Sequence, residues 1–325
     1  PFPSGVRQLE LHPLDFEEYL WALDEGAMAR DIRMHAETGE PYVRHDQALD
    51  LYHKYLVLGG MPRVLDAYRH EGGFSAAGEV QAEIDATYTA DMTDPENGIS
   101  GISAKRIWDS LPKQLLRAST KKFKYSEVIR GGRRERLLEP LEWLAAAGVI
   151  SINDLTCDDR APLAPYNDED GSYFKVYVAD TGIMFHKFGI DPVVFLDDGR
   201  RAILASDFRG ALAENYVMQA LQANGLRTFY WMPNDKVGNG EVDFVFQDRM
   251  AQVIPVEVKS ARNVKAKSLM KLMREGNAPY AIRLSEANFG TNAIEGTDGE
   301  MLLRDLPLYA AFCVGPEAAE ETCTG

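Results

Sequence analysis

The chain has 325 residues and is 45% hydrophobic, enough for a sizeable core and for two or three domains. Its net charge of −15 excludes a protein that coats nucleic acid over its whole surface. Cys157, Cys313 and Cys323 have no pairing pattern, the six histidines are scattered, and no apolar run reaches membrane-spanning length or follows a signal-peptide start. These features argue against a disulfide framework, a zinc site, a membrane span and secretion, and a reduced, cytoplasmic setting is expected. No C-x-x-C, H-E-x-x-H, nucleophile elbow or G-x-x-x-x-G-K-[ST] occurs, so no P-loop lies in this stretch. The opening at Pro1 in mid-phrase suggests a piece of something longer, although processing or trimming would look the same.

VRQLEL, residues 6–11, alternates like a short strand and ends at Pro13. DFEEYLWAL then starts a helix with acidic residues in its first turn. The span from 14 to about 95 reads as mostly helical, with LYHKYLVL stopped by Gly59 and Gly60 and restarted at Pro62. DPENGISG, residues 94–101, is loop chemistry and marks a boundary.

From 102 to about 155 the order is helix, helix, helix, strand. ISAKRIWDSLPKQLLRAS is amphipathic, KKFKYSEVIRGG is short and basic, and the stretch from Arg134 to Ala147 places Leu137, Leu141, Leu144 and Ala145 on one face. AGVISINDL reads as a strand. Three short helices followed by a wing of strand form the pattern of a winged helix, which serves protein contacts as well as DNA. Between Ile102 and Pro140 eleven Lys or Arg stand against four Asp or Glu. Lys121, Lys122, Lys124, Arg130, Arg133, Arg134 and Arg136 could grip a phosphate backbone. A solvated helical face, or a patch docked on the acidic remainder, is an equal reading.

From about 161 to 313 helices and strands mix. FKVYVAD is a strand, DFRGALAENYVMQALQANG a helix closed by Gly225, and RTFYWM, EVDFVF and QVIPVEVKS three strands in succession. KAKSLMKLMREG is a further helix and APYAIRLS a further strand, and the acidic tail GPEAAEETCTG is expected to be disordered. Phe229, Tyr230 and Trp231 suit core packing better than base stacking, and the glycines of KVGNGEV suit a turn better than a phosphate cradle.

The stretch GEVDFVFQDRMAQVIPVEVKS carries the chemistry. Alternation puts Glu257 and Lys259 on one strand face, and Ile254, Val256 and Val258 on the other. Asp243 lies in the preceding strand, and the short QDRMAQ link suits an antiparallel hairpin that makes Asp243 and Glu257 cross-strand neighbours. Two such carboxylates repel unless a cation intervenes, and hard oxygen ligands suit Mg²⁺ or Mn²⁺. Glu214 falls on the helix stripe of Ala211, Val217, Met218 and Leu221, where burial is costly unless it is paired, protonated or metal-bound. A buried structural Glu–Lys pair is the bland alternative.

The order E…D…E-x-K on a helix and two strands resembles the PD-(D/E)XK nuclease superfamily. More widely, LELHPLDFEEYLWAL, YLVLGGMPRVLDAY, KKFKYSEV, LEWLAAAGVI, KVYVADTGI, RGALAENYV, YWMPNDKVGNGEVDFVF and PVEVKS, in that order, resemble the carboxyl-terminal part of prokaryotic AAA-superfamily ATPases ending in domain of unknown function 4143. The resemblance spans residue 6 to about 313. It implies an α+β multidomain chain: a remnant of an upstream ATPase core at 1–12, a helical segment at 13–98, a winged helix at 99–160, an α/β PD-(D/E)XK nuclease-like domain with a mixed sheet at 161–313, and a disordered tail at 314–325. ATP would belong only to the upstream core, with no ATPase activity from this stretch. The resemblance also implies that Asp243, Glu257 and the Val258 carbonyl bind Mg²⁺ or Mn²⁺, that Lys259 orients the attacking water and stabilises the phosphorane, and that Glu214 holds a second metal or its water. DNA and the upstream ATPase domain are the implied partners, with no membrane. The implied function is a metal-dependent, DNA-directed phosphodiesterase module. The alternative is a non-catalytic DNA- or protein-binding module that regulates the ATPase.

Overall fold

The computed structural model describes residues 10–116, 122–166, 173–233, 240–259, 269, 272–273, 278–296 and 299–315. Lys121, most of VRQLEL, most of KAKSLMKLMREG, the first part of KVGNGEV and nearly all of the tail lie outside the described residues.

Helices come first. α1 (Phe16–Ala22) opens on a reciprocal cap, in which the Glu18 N–H donates to Asp15 and the Asp15 N–H donates to Glu18, at 2.8 and 2.9 Å. α2 (Gly26–Thr38) follows, and α3 (His45–Leu58) stops at Gly59, whose φ of 75° an ordinary side chain would resist. α4 (Pro62–Ala67) restarts at a proline whose missing N–H costs a first turn nothing, and a π-helical turn at 68–72 leads into α5 (Gly73–Thr93). α6 (Gly101–Leu115), α7 (Tyr125–Val128) and α8 (Arg134–Ala146) are the three expected helices, and Leu137, Leu141 and Leu144 are buried on α8 as their spacing requires.

Two strands, β1 (Ile150–Thr156) and β2 (Phe174–Val178), pair antiparallel. Three short helices that the sequence had not marked follow them: α9 (Thr181–Phe188), α10 (Pro192–Leu196) and α11 (Asp198–Ile203). α12 (Ser206–Ala223) then precedes β3 (Thr228–Trp231), β4 (Val242–Gln247), β5 (Val253–Val258) and β6 (Tyr280–Ser285). β7 (Gly290–Gly296) and β8 (Gly299–Pro307), which the sequence does not signal, pair antiparallel at the end of the sheet. Among the described residues there are thus twelve α-helices and one eight-stranded mixed sheet of order β2-β1-β3-β4-β5-β6-β8-β7.

The sheet joins what the sequence divided. β1 pairs antiparallel with β2 on one side and parallel with β3 on the other. The boundary expected at 160–161 therefore falls in the connection between two strands of the same sheet. The larger hydrophobic core is shared as widely, running from Phe16 through Trp108, Leu141 and Leu212 to Val314. A smaller core on the opposite sheet face gathers Phe229, Trp231, Val245, Val253, Leu272 and Leu303, so the aromatic run Phe229, Tyr230, Trp231 is buried.

α12 lies at the centre and is buried nearly all round from Ala211 to Leu221, not along one stripe. Each large apolar side chain so placed contributes about 1.5–3 kcal/mol. Its polar residues are tied to the chain segment before it. Asn215 accepts from the Val178 N–H at 2.8 Å and donates to the Val178 carbonyl at 2.9 Å. Gln219 accepts from the Thr181 N–H and hydroxyl and donates to the Tyr55 hydroxyl. These bonds fix α12 against β2, and so determine where Glu214 sits.

A second joint holds α3 to α9. Buried Asp180 accepts from the Ile183 N–H at 2.9 Å and from the Gly60 N–H at 2.7 Å. A Cβ at Gly60 would stand 2.1 Å from the Leu14 carbonyl oxygen, and one at Gly182 would stand 2.3 Å from that of Leu58. The glycines of LGGMPR and ADTGI are thus where two backbones touch.

Candidate active site

β4 and β5 form the expected hairpin. The Asp248 carboxylate accepts from the N–H groups of Met250 and Gln252, which shapes the turn. The register pairs Val245 with Pro255 and Phe244 with Val256 and ends there, one step short of Asp243 and Glu257. Phe244, Phe246, Ile254, Val256 and Val258 enter the larger core, and Val245 and Val253 the smaller. By alternation Glu257 faces the smaller core, whereas Val242 enters that core and Phe244, two residues on, enters the larger, so β4 is irregular at Asp243. Asp243 also accepts from the Val258 N–H at 2.9 Å.

Glu257 is buried, and its Oε1 accepts from the Lys259 ammonium. Its Oε2 is buried with no hydrogen-bond partner among the described residues. Burial first, and the charge of Asp243 second, push the Glu257 carboxyl up to about 8. Burial works against the charge on Lys259, but Asp243 and Glu257 outweigh it and hold the ammonium above its ordinary range.

Glu214 approaches from α12, on the larger-core face, and meets a residue that sequence reasoning had passed over. Lys175 of β2 is fully buried, with its Nζ 3.1 Å from Glu214 Oε1 and 2.6 Å from Glu241 Oε1. The Tyr177 hydroxyl donates to the same Glu214 oxygen at 2.5 Å, and the Lys175 ammonium lies 5.1 Å from the centre of the Tyr230 ring. Burial disfavours the Lys175 charge, yet Glu214, Tyr177, Glu241 and Asp243 together hold it protonated. Lys259 also feels Glu214, so both groups of charges belong to one end of the sheet.

All four expected residues thus gather in one charged neighbourhood, but not as a triad of acids. Among the described residues no three His, Cys, Asp or Glu side chains close into a set that could hold a metal ion. Lys175 and Tyr177 instead engage the Glu214 carboxylate. The fit to a hard divalent cation therefore rests on Asp243 and Glu257. They supply hard oxygens, one of them buried and without a partner among the described residues.

Of the basic residues, Lys124, Arg130, Arg133, Arg134 and Arg136 are exposed on and around α7 and α8. Lys122 is half-buried, its ammonium 3.2 Å from the centre of the Tyr173 ring. It forms an isolated bridge to Lys175, and the Phe123 N–H donates to the Phe174 carbonyl at 2.9 Å. The basic segment is therefore stitched to the strand that carries Lys175.

Lys175, Tyr177 and Glu241 had a weak signal in sequence: a lysine alternating with a tyrosine inside an otherwise apolar strand, and an acid two residues before Asp243. Residues 49–193 match a family model described as a domain of unknown function (DUF8612), and residues 209–296 match one described as a domain of unknown function (DUF4143). No curated protein and no solved structure matches the chain. Lys175 and Tyr177 fall in the first matched segment, and Glu214, Glu241, Asp243, Glu257 and Lys259 in the second.

Proposed function

We propose that this neighbourhood is a metal-assisted phosphodiester-hydrolysing site of the PD-(D/E)XK kind, acting on DNA, in the carboxyl-terminal part of an AAA-type ATPase. The observation that carries the reading is buried Glu257, next to the Val258 whose N–H Asp243 accepts, with Lys259 on one Glu257 oxygen and no partner on the other among the described residues. Asp243 and Glu257 would hold Mg²⁺ or Mn²⁺. The ion, when bound, supplies a water of lowered pKa and neutralises charge on the transferring phosphoryl group. Lys259, kept protonated by its two acids, serves as a fixed positive charge toward a developing phosphorane oxygen and not as a base at neutral pH. The exposed arginines around α8, read with α6 to α8 as a winged helix, bring a phosphate backbone to the molecule.

Incubation with plasmid and branched DNA in Mg²⁺ or Mn²⁺ tests this reading. Cleavage that is lost in Glu257→Ala and Lys259→Ala is expected. Intact DNA with salt-sensitive binding retained favours a second reading, a non-catalytic binding module. That reading has its own observation: Lys175 neutralises Glu214 and Glu241 much as a structural ion cluster would. Neither cleavage nor binding would remove DNA from the account.

A further inference from the structure

Resting on the metal-dependent reading above, we propose that Lys175 is a resident cation. Its ammonium holds Glu214 and Glu241, so the site accepts a single divalent ion, at Asp243 and Glu257.

A carboxylate on a buried helix needs a countercharge, and Glu214 already has one. The Lys175 Nζ is within ion-pair distance of both Glu214 and Glu241, and the Tyr177 hydroxyl fills a further lone pair on Glu214 Oε1. The lysine is fully enclosed, and the Tyr230 ring lies against its charge. A second divalent ion at Glu214 would have to displace a fully buried ammonium, and would then sit beside it at like-charge repulsion. The other half of the site is built differently. Glu257 Oε2 is buried without a partner among the described residues, and its nearest cation, Lys259, engages only Oε1. The oxygen open to a further positive charge is therefore on Glu257.

The placement of Lys175 gives it a further effect. It stands on β2, which the basic segment joins through the Lys122 bridge, so the countercharge of Glu214 comes from a different part of the chain than the carboxylates. Lys175 is a positioning residue: it fixes Glu214 and Glu241 and leaves the reacting phosphate to Lys259.

Mn²⁺ binding to the whole chain, read by electron paramagnetic resonance of free Mn²⁺ and by calorimetry, tests the assignment without any DNA. One ion per chain is expected. Glu257→Gln should weaken it at least 30-fold, and Glu214→Gln less than 3-fold. Lys175→Met removes the ammonium from Glu214 and could fail to fold, so Lys175→Met with Glu214→Gln serves as the second variant. It should keep a single Mn²⁺ site of unchanged affinity. Two ions per chain in the unaltered protein, or a Glu214→Gln loss as large as that of Glu257→Gln, would overturn the inference while leaving metal-dependent cleavage standing. One ion bound with DNA left intact would sustain the inference and remove the hydrolase. No Mn²⁺ bound at all would end both.

Discussion

Two buried carboxylates, Asp180 and Glu257, separate architecture from chemistry. Asp180 is buried against backbone, and each of its oxygens accepts a backbone N–H: Ile183 on one, Gly60 on the other. Its site is full, and its partners are the parts of the chain that it joins. Glu257 is as deeply placed but receives only the Lys259 ammonium on one oxygen, while the other has no partner among the described residues. Desolvation raises the pKa of both. What differs is whether the hydrogen-bonding capacity is used up, and a buried carboxylate oxygen without a partner costs free energy.

Four changes break or sharpen that contrast, beginning with the largest. Gly60→Ala drives a Cβ into the Leu14 backbone at the Asp180 joint and should cost about 3 kcal/mol or more, read as a fall in the urea midpoint. A variant of unchanged stability would show the joint to be pliable.

The pH dependence of Asp180 comes next. Burial raises its folded-state pKa to about 6, against the lowering pull of the Ile183, Gly60 and Gly182 N–H groups. The folded chain therefore binds this proton more tightly than the unfolded chain does. Its contribution to stability is fully present below the ordinary carboxylate range and is lost as pH rises through about 6. Denaturation of Asp180→Asn between pH 4 and 7 should lack that component, and parallel curves for the two proteins would refute the assignment.

Glu257→Gln follows. If the side chain serves a ligand and not the fold, replacing its carboxyl should change stability by less than about 1 kcal/mol. A loss of about 3–5 kcal/mol would instead mark the Glu257–Lys259 pair as structural. The smallest effect is expected from a triple change of Arg130, Arg133 and Arg136 to glutamine. Each exposed site should alter stability by about 0.5 kcal/mol or less. The salt dependence of DNA binding should nevertheless flatten, by about 0.9 in log–log slope for each phosphate that is no longer neutralised. An unaltered slope would return these arginines to the role of a solvated face.

The hairpin that bears Asp243 and Glu257 was legible in sequence because its signals are local. Alternation along VIPVEVK and a short polar link fix the register, and Phe244 opposite Val256 follows from them. α3, α4 and α8 were legible for the same reason, through glycine, proline and leucine spacing. What sequence could not provide was contact across distance. Lys175 meets Glu214 only because Asn215 fastens α12 to Val178, a pairing between residues 37 apart. The strand FKVYVAD was recognised, but nothing within it says that its lysine is turned to a helix further along the chain. β7 and β8 escaped notice because stretches such as GTNAIEG lack the β-branched and aromatic pattern of a buried strand. α9 to α11 are too short for helical periodicity to show.

The parallel seam between β1 and β3 bears on any attempt to dissect the molecule. A chain cut between the two matched segments, near residue 200, would strip β3 of its parallel neighbour β1, leaving β4 on its other side and a row of unpaired amide groups along a strand whose side chains are wholly buried here. The carboxyl-terminal half, expressed by itself, is thus destined to self-associate through that edge. Supplying the amino-terminal half in trans is the route by which the bare strand regains a mate.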